Sequence, residues 1–207
     1  MKQETLQILN DLVRRYPVLN SCRDSILDAA TVIVSAFQNG KKLLVCGNGG
    51  SAADSGHIQA ELLKNFRIKR KLPLELKNKL GNDELYEGLE KGYPVINLTS
   101  NIPFITAYMN DHNPEFIFAQ QVNAFGESGD VLLMISTSGN SKNCIYAGEV
   151  AGAKLVTTIA LTGINGGELA NRSYITIKAP ETETYKVQEL HLPIYHCLCA
   201  MIEMEIE

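Results

Sequence analysis

Two strand-to-helix junctions and two helical stretches hold the residues of this chain that could do chemistry. The first junction, Cys46-Gly47-Asn48-Gly49-Gly50-Ser51, closes a short apolar run and opens directly into Ala52-Ala53-Asp54. Glycines let a backbone approach an oxyanion, and a helix start offers free N–H groups and the positive end of its dipole. A plain turn needs one glycine, not three plus an asparagine, so Asn48, Gly49, Gly50 and Ser51 are candidate anion ligands. Gly47, Gly49 and Ala52 also satisfy the dinucleotide pattern G-x-G-x-x-A, but that fingerprint requires an acidic residue about 20 positions on, at the end of the next strand. The next strand here lies roughly 50 residues on and ends in Thr99-Ser100-Asn101, which excludes a nicotinamide site. No Gly-Lys-Ser/Thr follows the turn, which excludes a Walker A loop.

The second junction is Ser136-Thr137-Ser138-Gly139-Asn140-Ser141, followed by a helical stretch from Lys142. A helix cap uses one hydroxyl and leaves three over. A phosphate monoester has three peripheral oxygens, and hydroxyls, backbone N–H groups and a helix dipole suit it together. Ser136, Thr137, Ser138 and Ser141 are therefore candidate phosphate ligands. His57 and Glu61 stand four apart, on one face of the helix that leaves the first junction. Spacing alone also suits an ordinary surface pair. Gln188 and His196 are eight apart, about 80° around a helix, and can share a broad face two turns apart. A polar helix edge with His196 satisfied in the interior explains them equally.

These residues need rigid elements behind them. Continuous apolar runs at Leu43–Cys46, Val95–Leu98, Val131–Ile135, Leu155–Leu161 and Tyr174–Ile177 read as strands buried on both faces, as in a parallel sheet covered by helices. Helical periodicity occupies Leu6 to Val13, about Cys22 to Phe37 and about Thr182 to Glu205. The expected fold is a three-layer α/β/α sandwich of one domain over residues 1–207, with a mostly parallel five-stranded sheet and added N-terminal helices in residues 1–40. Leu62 to Tyr93 interrupts the alternation with a basic half (Lys64, Arg67, Lys69, Arg70, Lys71, Lys77, Lys79) and an acidic half (Asp83, Glu84, Glu87, Glu90). It reads as a solvated helical excursion or as a basic flap over an anion.

With 207 residues the chain can bury a full core unaided. Its 45% hydrophobic and 20% charged residues are globular composition. A net charge of −4 counts against a general nucleic-acid binder, and no apolar run is long enough to span a membrane. The N-terminus carries no signal-peptide core. Five cysteines without a CxxC pair suit reduced thiols in the cytoplasm.

GNGGSAAD and STSGNS, in this order and at these strand ends, resemble the sugar isomerase (SIS) domain. GDVLLMISTSGNS with Leu161-Thr162-Gly163 is similar to its phosphoheptose isomerase branch, from about Lys41 to the C-terminus apart from the excursion. The resemblance implies that His57, Glu61, Gln188 and His196 are zinc ligands, one zinc per subunit, with Glu61 and His196 as the catalytic pair and Gln188 also a candidate substrate ligand. It also implies a homotetramer with sites shared between subunits. The implied reaction converts sedoheptulose 7-phosphate to D-glycero-D-manno-heptose 7-phosphate through an enediolate, which needs a base at the carbon pair and a stabiliser for the oxyanion.

The chain departs from the family pattern at three places. The second strand ends in Ser100-Asn101 where the family has an Asp contacting sugar hydroxyls, so these two are the candidate substrate ligands there. Lys186 replaces an Arg two residues before Gln188, and the excursion is long. Another sugar phosphate is therefore an alternative substrate. A non-catalytic SIS regulator, of the kind that associates with the bacterial replication initiator, is the alternative class, and amino-sugar chemistry is a third.

Overall fold

The computed structural model describes residues 1–207. Helix α1 (Gln3–Arg15) and α2 (Arg23–Gln38) precede β1 (Leu43–Gly47) and α3 (Gly50–Leu63). Two short helices follow, α4 (Leu74–Leu80) and α5 (Asp83–Gly88), then β2 (Val95–Asn97), α6 (Ile102–Asp111) and α7 (Ile117–Phe125). The second half is β3 (Val131–Ile135), α8 (Lys142–Ala153), β4 (Thr157–Gly163), α9 (Gly167–Arg172), β5 (Ile175–Ala179) and α10 (Thr184–Ile206). The five strands pair in parallel in the order β2-β1-β3-β4-β5. The expected sandwich is what forms, with every strand parallel.

Side chains alternate between two cores, as a sheet covered on both faces requires. Leu43, Val45, Val131, Leu133 and Ile135 join the larger core with residues of α1, α2, α3 and α10. Leu44, Cys46, Leu132 and Met134 join the smaller core with residues of α7 and α8. Chain order reverses between β1 and β3, and Gly47 and Ile135 are register partners, so both junctions open side by side at the switch point of the sheet. Open α/β sheets hold ligands at this crevice.

One strand starts later than the apolar run suggests. Leu155 and Val156 do not belong to β4; they close α8. Leu155 N–H donates to Gly152 O and Val156 N–H to Ala151 O, a Schellman closure with Leu155 at φ 58° where glycine is usual. The strand-like residues there are a helix stop.

The excursion is helical, and neither α4 nor α5 buries a residue. Its entry is pinned. Glu203 on α10 accepts the N–H groups of Phe66, Arg67 and Ile68 at 2.9, 2.6 and 2.9 Å. Arg70 Nε lies 3.4 Å from the same carboxylate, with both side chains 1% exposed. Arg70 also donates to Leu62 O and stacks 4.3 Å from the Tyr93 ring centroid. Of the basic run, Arg70 is thus an interior anchor, while Arg67, Lys69 and Lys71 stay exposed. Farther along α10, Glu205 takes the Lys2 N–H and the Thr5 hydroxyl, and Glu207 takes the Lys91 ammonium and the Tyr93 hydroxyl.

Candidate active site

The glycine turn is built for close approach. Gly49 has φ 56°, and a Cβ at Gly47 would stand 2.6 Å from Ser51 O. The N–H groups of Asn48, Gly49 and Gly50 take no partner from the chain. Ser51 is buried directly behind them. Gln188 lies across this turn: a Cβ at Gly50 would sit 2.5 Å from its Nε2. Glycine at position 50 is the room that Gln188 occupies.

The second junction shows the same economy of partners. Ser136 and Ser141 share a hydroxyl–hydroxyl bond of 2.9 Å, and Ser138 Oγ accepts the Asn140 N–H. The N–H groups of Thr137, Ser138 and Ser141 take no partner from the chain. Gly139, at φ 68°, packs on the 163–167 turn so closely that a Cβ would overlap Gly166 O. Asn48 joins the two junctions: its Nδ2 donates to Asn143 Oδ1 at 3.0 Å, and Asn143 Nδ2 donates back at 2.8 Å. Asn48 is a candidate anion ligand; its side-chain amide is spent on this clasp, which leaves its backbone N–H for an anion. Asn143, which the sequence did not single out, is the partner. Ser100 Oγ donates to Asn97 O, and Asn101 Oδ1 caps α6 by accepting the Phe104 N–H. Both remain exposed beyond β2.

Three of the four residues expected as metal ligands converge. His57 Nε2 is 3.2 Å from Glu61 Oε1 and 3.5 Å from His196 Nε2. Donors held tetrahedrally at zinc distances stand about 3.3 Å apart, so these two separations suit such an ion. The convergence is partial: no three His, Cys, Asp or Glu side chains are grouped closely enough to hold a metal ion as they stand. Gln188 does not join them. It shares a face of α10 with His196, but eight residues of helix rise about 12 Å, which carries Gln188 to the glycine turn instead. Glu61 Oε2 also takes Lys64 Nζ at 3.1 Å.

The environment sets the protons. Burial, then the neighbouring His57, pushes the His196 imidazole below its ordinary value, so it favours the neutral base. Tyr195, buried beside it, places its hydroxyl 2.9 Å from His57 Nδ1. Burial raises the Asp54 carboxyl, and Tyr195 and His57 partly offset that. Sequence reading passed over both residues, although Asp54, His57 and Glu61 fall at i, i+3 and i+7 on one helix face. A cavity of 430 Å³ opens between α1, Phe66-Arg67 and α10, reaching His196, with Arg14, Arg15 and Arg67 in its wall.

Comparison with known proteins bears on what this arrangement does. The SIS domain family matches residues 10–90. A phosphoheptose isomerase of Shewanella denitrificans is 41% identical over 97% of this chain and 90% of its own length. One from Rhodospirillum rubrum is 38% identical over 89% and 88%. Among solved structures, a phosphoheptose isomerase from Francisella tularensis superposes with TM-score 0.78 at 34% identity, covering 98% of this chain and 94% of that one. One from Neisseria gonorrhoeae gives 0.74 at 31% identity, covering 97% and 94%.

Proposed function

Because the chain belongs to the phosphoheptose isomerases of the SIS domain family, we propose that it is a sugar-phosphate isomerase that interconverts sedoheptulose 7-phosphate and D-glycero-D-manno-heptose 7-phosphate. The observation that carries this reading is the meeting of Glu61 and His196, from two different helices, at the ring of His57. A binding protein needs the phosphate cradles but not such a pair.

The chemistry follows from the groups present. The free N–H groups of both junctions and the hydroxyls of Ser136, Ser138 and Ser141 bind the phosphate, and Gln188 orients the sugar above Gly50. Neutral donors at two helix starts hold the anion without a permanent ion pair, which favours release. Ser51, buried behind the turn, supports the loop. Glu61 takes the proton from the carbon next to the carbonyl, and the neutral His196 moves protons between the two oxygens of the enediolate. Lys64 pairs with the other oxygen of that carboxylate at 3.1 Å. Ser100 and Asn101 contact the middle hydroxyls with neutral groups.

We assign His57, Glu61 and His196 as the residues that would hold a zinc ion; Gln188 belongs with the substrate. Zinc there would supply Lewis-acid stabilisation of the oxyanion. The glycine cradle lies at the start of α3 and the serine cradle at the start of α8, with His57 and Glu61 two to three turns along α3. That separation, with the exposed apolar side chains of Ile102 and Met109 on α6, supports a homotetramer in which subunits share sites. No helix is long and apolar enough to cross a membrane, and all five cysteines are free and buried, in keeping with a cytoplasmic enzyme.

The test is incubation of zinc-loaded protein with sedoheptulose 7-phosphate in deuterated water, followed by NMR. Aldose product and deuterium at the exchanging carbon are expected, and Glu61→Gln should lower kcat by about 100-fold or more. Phosphate-ester binding without exchange would replace the enzyme reading with the regulator.

A further inference from the structure

We propose that residues 71–89 form an arm by which two copies of this chain pair, the basic half of each arm against the acidic half of the other, a contact that involves neither the catalytic site nor the α6 face.

The arm makes its bonds with itself. Between Lys71 and Leu89 every hydrogen bond and ion pair ends inside the segment. Gly81, at φ 60°, turns α4 into α5, and Asn82 caps α5 by accepting the Leu85 N–H. The Tyr86 hydroxyl donates to Leu72 O at 2.9 Å, and the Lys77 ammonium stands 3.2 Å from the Asp83 carboxylate. These bonds shape the hairpin without burying it. Leu74, Leu76, Leu85 and Leu89 all stay exposed, Leu74 at 74%. Isolated helices shorter than about 12 residues are marginal in water, and α4 and α5 have seven and six. Two such helices gain their stability from a surface that covers them, and the body of their own chain offers none.

The roots of the arm are fixed all the same. On the entry side Glu203 holds the N–H groups of Phe66, Arg67 and Ile68. On the return, Glu90 accepts the Asn65 N–H at 2.8 Å, Lys91 N–H donates to Arg70 O, and Tyr93 N–H donates to Leu62 O. A hairpin presented from such a base keeps one direction, so pairing costs little ordering of its roots.

Charge identifies the occupant. Ahead of Gly81, Lys71 and Lys79 have no ion-pair partner, with Glu75 the one carboxylate there. After Gly81, Glu84 and Glu87 are likewise unpaired. A two-fold contact sets one patch against itself in the opposite direction. Lys71 and Lys79 of one copy then face Glu84 and Glu87 of the other, and the leucines of both arms leave water together. A lipid surface or a partner of one sign would attract half of the arm and repel the rest.

A carbodiimide joins an ammonium to a carboxylate in direct contact, and a mixture of ¹⁴N and ¹⁵N chains refolded together shows by mass which links cross between copies. Links from Lys71 or Lys79 to Glu84 or Glu87 are expected in mixed-isotope peptides of the wild-type protein. The double variant Leu74→Ser with Leu85→Ser keeps every linking group, and its mixed-isotope yield should fall about 10-fold or more at the same protein concentration. Wild-type links confined to single-isotope peptides, or a double variant with wild-type yield, would overturn the proposal. Should the double variant fail to fold, as circular dichroism would show, the wild-type links decide alone. Neither substrate nor metal enters the experiment, so the arm contact and the isomerase reading can fail separately.

Discussion

Replacing Glu203 by glutamine tests how the excursion is fastened to the body of the protein. The carboxylate accepts three successive backbone N–H groups and faces the Arg70 guanidinium, and both charged side chains are 1% exposed. Arg70 has little else: its Nε and Nη2 find no hydrogen-bond partner, and only Nη1 reaches Leu62 O. Glutamine keeps one acceptor oxygen but turns an NH₂ group toward the N–H donors and leaves a buried cation without its counter-charge. Breaking one side of a buried pair costs about 3–5 kcal/mol, much of it the stranded charge. Urea unfolding of Glu203→Gln should therefore lose that amount. Adding Arg70→Met removes the stranded charge, so the double variant should recover a large part of the loss. The phosphoheptose isomerase activity should fall as well, since the Phe66 ring lies 5.6 Å from that of His196 and the loosened segment uncovers it. A single-variant loss under about 1 kcal/mol, or a double variant no better than the single, would refute this account of the anchor.

Other changes follow from single positions. Gly50→Ala pushes a methyl onto the Gln188 amide, which is flexible and can yield; stability should change by under about 1 kcal/mol while KM for the sugar phosphate rises, as calorimetry and kinetics would show. Leu155→Gly should stabilise by about 1 kcal/mol in thermal melts, because Leu155 adopts φ 58° while 72% exposed, so strain is relieved and little packing is lost. His191 is fully buried with Nε2 on Thr162 O, and burial lowers its pKa to about 4. Its native pKa lies below its unfolded one, so the unfolded state binds the proton first. Stability should fall by about 2–3 kcal/mol as pH drops from about 6.5 to 4, and His191→Gln should flatten that slope.

The strands were legible because continuous apolar runs suit only a sheet covered on both faces, and the two cores share them residue by residue. The error at Leu155 came from reading side-chain type where backbone conformation decides: a leucine in the left-handed region looks apolar and strand-like in the sequence. In the site, His57 and Glu61 were legible because one helix fixes their spacing. The contacts of Gln188 with Gly50, Asn48 with Asn143 and Tyr195 with His57 cross between elements, and no local period encodes them. Arg70 makes the same point from the charged residues: it is buried as an anchor, where the sequence reads its segment as a solvated excursion or a basic flap.

The last turns of α10 have a kinetic meaning. Glu203, Glu205 and Glu207 hold partners between 114 and 203 positions away in the chain. Contacts of such span close loops at a high entropic cost and form after the local helices. They belong to the late part of folding, where a lost bond speeds opening far more than it slows assembly. Weakening these carboxylates should therefore shorten the lifetime of the native protein while leaving its refolding rate nearly unchanged.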